Sequence, residues 1–208
     1  MAGFARSDST SEAPDPRPAR VVRIRKYESG DAEGLFEAAS ESIEHVFPWL
    51  EWCHPGYRLQ QASEWVKRCD SLWKDGREYN FAIVDGSNRI LGGCGLNQIR
   101  HEHRLANLGY WVRRSEIGRG VATAAVQELT RFAFSETNLI RLEIVVAVAN
   151  EASQRVANKA GAVREGVLAA RLLLHGKPHD AVLYALLRPK RSAHREPNEN
   201  RSRKETDS

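Results

Sequence analysis

The stretch WVRRSEIGRGVAT, residues 111–123, joins an extended run to a helical one through two glycines one residue apart. Glycines at Gly118 and Gly120 permit a tight turn whose backbone N–H groups face outward. Together with a helix N-terminus, such a turn forms an anion site that suits a pyrophosphate. Two familiar phosphate loops do not match. The dinucleotide pattern GxGxxG needs a small residue where Thr123 stands, and a Walker loop needs Gly-Lys-Ser/Thr. Taken alone, the turn is equally compatible with a flexible connection that caps one helix.

Working outward gives the turn its context. Upstream, LANLGYWV (105–112) reads as a strand of a meander. FAIVD (81–85) and ILGGCGLNQI (90–99) precede it as a hairpin around Asp85-Gly86-Ser87-Asn88. Downstream, Val121, Ala125, Val126, Leu129 and Ala133 recur at helical spacing through about Phe134. IRLEIVVAV (140–148) has the continuous apolar character of a strand buried on both faces. Residues 151–159 form a short helix ended by Ala160-Gly161. Two strands, about 162–173 and 179–187, close the domain around His175-Gly176-Lys177.

At the other end, VVRIRKY (21–27) is a strand, and Ser29-Gly30-Asp31 opens a helix that runs through Leu35, Phe36, Ala39 and Ile43 until Pro48. An aromatic loop with Phe47, Trp49, Trp52 and Tyr57 leads to a helix over 58–74, where Trp65 and Trp73 are expected in the core. The order is β-α-α-β-β-β-α-β-α-β-β, a single mixed α/β (α+β) domain over 20–188.

Charge and cysteines exclude other classes. The formal net charge is +4, but residues 21–187 carry only +1, and the excess lies in the C-terminal segment. A nucleic-acid partner is therefore not expected. Residues 1–19 read as a disordered leader and 189–208 as a disordered basic tail. No apolar run is long enough to span a membrane. Cys53, Cys69 and Cys94 are scattered and form no CxxC pair, so no disulfide framework or zinc site is expected. His101 and His103 lie in a polar hairpin connection without further ligands, and no metal is assigned. With no secretory h-region at the N-terminus, a cytoplasmic location is the expectation.

Asn150-Glu151-Ala152-Ser153, between the buried strand and the short helix, supplies a second element. Asn150 and Ser153 are favoured at helix N-termini and could serve as caps alone. Three segments occur in order: LGYWVRRSEIGRGVATAAVQEL, RLEIVVAVANEASQRVANKAGAVREGVL and LLLHGKPHDAVLYALL. With the FPWLEW loop, they make residues 21–187 resemble the GNAT N-acetyltransferase superfamily, in its ribosomal-protein N-terminal (RimJ/RimL-type) branch.

The resemblance implies acetyl-CoA as co-substrate and no metal. It places the pyrophosphate on Gly118, Arg119, Gly120, Val121, Ala122 and Thr123. It places the pantetheine arm on the main chain of Trp111, Val112 and Arg113, with Asn150 beside it, across a splayed gap before 140–148. Ser153 matches the serine beside the CoA sulfur, a general acid for the leaving thiolate. Trp49 and Trp52 would line the acceptor entrance. The departures are Ser115 at the start of the phosphate motif, and Asn107 and Leu172 where relatives carry a glutamate. Asn107 can position a water but is not a base. Glu44, Glu51 and His45 are the nearby alternatives, with His45 expected to be structural.

The expected function is acetyl transfer by direct attack of a protein N-terminal α-amine. A small-amine acetyltransferase (antibiotic, polyamine or amino acid) and a non-catalytic acyl-CoA-binding module are the alternatives. The partners implied are a protein N-terminus or a small amine, and a homodimer is allowed.

Overall fold

The computed structural model describes residues 21–189. The leader and all but the first residue of the basic tail lie outside that range. Seven strands form one sheet in the order β1-β2-β3-β4-β5-β7-β6. The strands are β1 (Arg23–Lys26), β2 (Tyr79–Val84), β3 (Ile90–Arg100), β4 (Leu105–Val112), β5 (Arg141–Ala147), β6 (Val163–Leu174) and β7 (Lys177–Leu187). The helices are α1 (Ala32–Ser40), α2 (Ile43–Val46), α3 (Leu59–Lys74), α4 (Val121–Glu136) and α5 (Glu151–Lys159). Every strand pair is antiparallel except β4–β5.

Alternation along β2 shows why the sheet is covered on both faces. Phe81 and Ile83 join the core beneath α4, where Val121, Ala125, Val126, Leu129 and Ala133 present one apolar stripe. Ala82 and Val84 turn the other way and pack with Leu35 and Ala38 of α1 and Ala62 and Val66 of α3. Trp73 meets Tyr79, Phe81 and Phe132 edge-on or tilted and donates its Nε1 to the Asn80 carbonyl at 3.0 Å. Its expected core position is observed. At the far edge, β6 is mostly exposed and pairs only with β7.

One expected element differs. The helix expected to continue from Asp31 past Ile43 breaks after Ser40 into α1 and α2. Ser42 is fully buried, and its Oγ donates to the Ala38 carbonyl at 2.6 Å. That i→i−4 bond competes with the helical ladder and bends the chain. The same Oγ accepts from the Arg114 amide at 3.0 Å, so the break brings the α1–α2 corner against the loop after β4.

The start of α1 is held by Asp31. Its carboxylate forms a two-point pair with Arg25, at 2.6 and 2.8 Å, and accepts from the Glu28 amide at 2.8 Å. Burial pushes the Asp31 carboxyl up, but the Arg25 and Glu28 hydrogen bonds outweigh it and hold the pKa below its ordinary value. A carboxyl lowered in the folded state stabilises the fold above its unfolded pKa and loses that contribution as pH falls through the folded one. The urea midpoint should therefore fall below about pH 4. Asp31→Asn should cost about 1.5–3 kcal/mol at pH 7 and flatten part of that acid slope. Identical acid-side slopes in the two proteins would remove Asp31 from this role.

Candidate active site

β4 and β5 pair over only three residues, Leu105–Asn107 against Arg141–Glu143, and then part. A cleft of about 670 Å³ opens along the split. The Arg113 amide donates to the Leu91 carbonyl of β3 at 2.7 Å. By the alternation of an antiparallel strand, Tyr110 and Val112 turn their amides and carbonyls away from β3, toward the gap. The Val112 carbonyl accepts from His45 Nε2 at 2.9 Å, which fixes α2 against this strand. Because a carbonyl only accepts, His45 Nε2 carries the proton, and its buried Nδ1 has no partner.

At the wide end of the cleft lies the glycine turn. Gly118 and Gly120 both have φ of +77°. A Cβ at either would meet nothing within 4 Å, so backbone conformation rather than space requires glycine. Gly120 starts α4 with no side-chain cap and no acid in the first turn. The amides of Val121, Ala122 and Thr123, which line the cleft, are thus left for an anionic ligand. The turn is braced from behind. Glu41 Oε1 accepts from Ser115 N at 3.2 Å and from Ser115 Oγ at 2.8 Å. Burial pushes the Glu41 carboxyl up, and the Ser115 hydrogen bonds with the adjacent Arg113 guanidinium outweigh it to hold it low. Ser115 is therefore structural, which accounts for its departure from the family pattern.

The arginines of this segment do not face the cleft. Arg113 is 1 % exposed and pairs with Glu37, and its Nε lies 2.9 Å from Glu41 Oε1 without hydrogen-bond alignment. Its expected place along the pantetheine arm is corrected: its main chain belongs to β3 and its side chain to the α1 corner. Trp111 also gives its main chain to β3, opposite Gly93, and its ring stands edge-on to Trp52 behind β4. Arg119 is about half exposed and leans on Glu116 at 3.3 Å, beside the Arg89–Glu116 pair at 3.1 Å.

Beyond the C-terminal end of β5, Asn150 and Ser153 come together as the sequence suggests. Asn150 Oδ1 caps α5 by accepting from Ser153 N at 3.1 Å, which leaves the Asn150 Nδ2 hydrogens for a ligand. Ser153 Oγ lies 2.8 Å from the Tyr110 hydroxyl. Tyr110 was not singled out in the sequence, although it sits two residues before Val112 on the same edge of β4. Burial pushes its phenol up to about 12, the Ser153 bond acting against that, so it stays protonated. Asn107 stands where the strands part and donates Nδ2 to Asn97 Oδ1 at 2.9 Å. Leu172 lines the cleft, so the second departure is a true absence of a carboxylate there. Arg155 and Lys159, on the cleft face of α5, are further cations that the motif reading passed over.

The remaining candidates separate. Trp49 lines this cleft, whereas Trp52 lines a second chamber behind β4. Glu44 pairs with Arg114 at 2.5 Å and Glu51 accepts from the His175 amide, and neither lines a cavity. Among the described residues, no group of His, Cys, Asp or Glu is placed to hold a metal, and no helix is long and apolar enough to cross a membrane.

The family description "Acetyltransferase (GNAT) domain" matches residues 22–163. The chain is 31% identical to the ribosomal-protein-serine acetyltransferase of Escherichia coli, over 70% of this chain and 93% of that protein. It is 25% identical to the spermidine N(1)-acetyltransferase of Vibrio cholerae, over 56% of this chain and 67% of that one. Among solved structures, Mycobacterium smegmatis RimJ in complex with CoA-disulfide superposes with a TM-score of 0.75 at 26% identity, covering 82% of this chain and 83% of that chain.

Gly120→Ala would place a Cβ on a left-handed residue, at a cost of about 1–2 kcal/mol, and shift the first-turn amides. Calorimetric titration should show CoA affinity reduced by about tenfold. Unchanged affinity would remove the turn from the binding site.

Proposed function

The chain belongs to the GNAT acetyltransferase family, and on that premise we propose that it transfers an acetyl group from acetyl-CoA to the α-amine of a protein N-terminus. One observation carries the choice of acceptor. Among the residues lining the cleft and the chamber behind β4, the sole carboxylate is Glu116, at the phosphate end and engaged by Arg89 and Arg119. Glu151, two residues before Ser153, does not line the cleft and pairs with Arg155 at 3.4 Å, so no acid lines the cleft beside Ser153. An α-amine of pKa about 7.7–8 is roughly a tenth neutral at pH 7, whereas an alkyl amine near 10.4 is neutral in less than about one molecule in a thousand. The site therefore favours an amine that is already partly neutral.

Acetyl-CoA, when bound, supplies the acetyl group as an activated thioester. The amides of Val121–Thr123 hold the pyrophosphate, and the gap-facing main chain of Tyr110 and Val112 orients the pantetheine. Asn107, with Asn97, holds a water or the entering amine through its free Oδ1. Ser153 Oγ provides the proton for the departing thiolate, whose modest basicity demands little help, and recovers one from the acylated nitrogen through water, so that thioester and amine become thiol and amide. Tyr110 acts through Ser153. Its one proton goes to the Ser153 carbonyl at 3.0 Å, so at 2.8 Å its oxygen accepts from Ser153 Oγ and fixes where the serine hydroxyl stands.

Incubation with acetyl-CoA and peptides bearing free N-termini, read by mass spectrometry, should show acetylation at the α-nitrogen. Modification confined to lysine side chains would overturn the assignment. Ser153→Ala should lower kcat by about a hundredfold with little change in acetyl-CoA affinity. Tyr110→Phe, which keeps the ring and removes the hydroxyl that positions Ser153, should cost about tenfold. Wild-type kcat in both variants would exclude the hydroxyl pair.

A further inference from the structure

Behind β4, on the side of α1 and α3, lies a second cavity of about 440 Å³. It meets the first cleft along Gly109–Trp111, and Leu50 and Asn97 border both. Gly109 contributes no side chain to the junction, and the nearest atom to a Cβ there would be Asn97 Nδ2 at 3.9 Å. Tyr110, whose hydroxyl meets Ser153, also lines both spaces. The chamber therefore opens at the point where the acceptor nitrogen has to stand.

Its walls are aromatic. Tyr27, Trp52, Tyr57, Trp65 and Trp111 surround it; Trp65 packs against the core as its spacing suggests and also lines this space. Trp52 stands edge-on to Tyr57 at 5.5 Å and to Trp111 at 5.3 Å, which holds the rings in place. The floor is Gly93 and Gly95 of β3. A Cβ on Gly93 would come within 2.7 Å of both Trp111 Nε1 and the Tyr27 hydroxyl, and one on Gly95 within 2.4 Å of Asn80 Oδ1. Gly93 makes room for the rings and Gly95 for the Asn80 side chain.

The chamber's polar groups are uncharged amides and hydroxyls, with one imidazole, His54. No Asp, Glu, Lys or Arg lines it. A charged group entering would leave water without gaining a counter-ion. A flat apolar group would gain contact with the rings.

Resting on the reading of an N-terminal α-amine acceptor, we infer that this chamber receives an uncharged aromatic or large aliphatic side chain carried within the first two residues of the acceptor. It selects against polyamines and against acidic or basic N-termini. Aromatic walls also attract cations, but a polyamine brings several ammonium groups whose hydration the rings do not replace.

The test uses the full chain and two acceptor sets, read by release of the CoA thiol. One set is peptides beginning Ser-Phe, Ser-Leu, Ser-Asp and Ser-Lys. The other is tryptamine, phenethylamine, ethylamine and spermidine. The Phe and Leu peptides should exceed the Asp and Lys peptides in kcat/KM by about tenfold or more, and tryptamine should exceed spermidine likewise. Trp52→Ala and the milder Trp65→Leu should erase most of that preference through KM, with CoA affinity by calorimetry reporting an intact fold. The same amines, titrated against CoA-saturated protein, report binding where turnover is absent. Equal or better use of Asp peptides, Lys peptides or spermidine overturns the inference, as does full preference retained in both variants. Turnover of tryptamine with every peptide inert would keep the chamber and sink the N-terminal reading. Turnover of all peptides alike would do the reverse.

Discussion

The structure depends on a parallel strand pair that stops after three residues. Beyond Asn107 and Glu143, β4 and β5 no longer bond to each other. Backbone amides and carbonyls on facing strands need partners once water is excluded. At the edge of β4, those of Tyr110 and the Val112 amide wait for a ligand that can pair as a strand does, while the Val112 carbonyl is taken by His45. The split also divides the space around β4 into a cleft on one side and an aromatic chamber on the other. The two meet where Gly109 leaves the strand without a side chain.

Holding that split open requires bracing on the β4 side. The buried Ser42 breaks the first helix and takes the Arg114 amide. Glu41 takes Ser115, and Arg113 lies buried beside Glu37 and Glu41. These contacts fix the path of the chain from the end of β4 into the glycine turn. Gly118 and Gly120 then aim the first-turn amides of α4 into the cleft. A local bend in one helix and an anion site some seventy residues later are parts of one arrangement.

Much of this was legible in the sequence because it follows from local rules. Helical spacing in 121–133, alternation in β2 and β4, and the turn residues at Asp85–Asn88 and His175-Gly176 all give the observed elements. Gly118 and Gly120 reveal their left-handed conformation by being glycine. Asn150 and Ser153 were legible as a cap and also line the cleft, since capping uses only one side of the asparagine. The α1–α2 break was not legible. The signal for helix continues through Ile43, and only the tertiary environment of Ser42 ends it. Arg113 was misplaced for a similar reason, because strand position alone does not say which neighbour takes the main chain.

By itself the sequence determined the order of elements, the glycine turn, the capped α5 and the absence of a glutamate at Asn107 and Leu172. Each is a property of residue type and spacing along the chain. The tertiary structure decided what lies across from what: Tyr110 against Ser153, Glu41 behind Ser115, and Trp52 and Trp65 in one chamber with Trp111. Those pairings join residues far apart in sequence, and only the register of β3 on β4 and the packing of α1, α3 and α5 on the sheet set their distances. The empty carboxylate positions are read from the sequence, but that no acid besides Glu116 lines the cleft to replace them is a fact of three-dimensional packing.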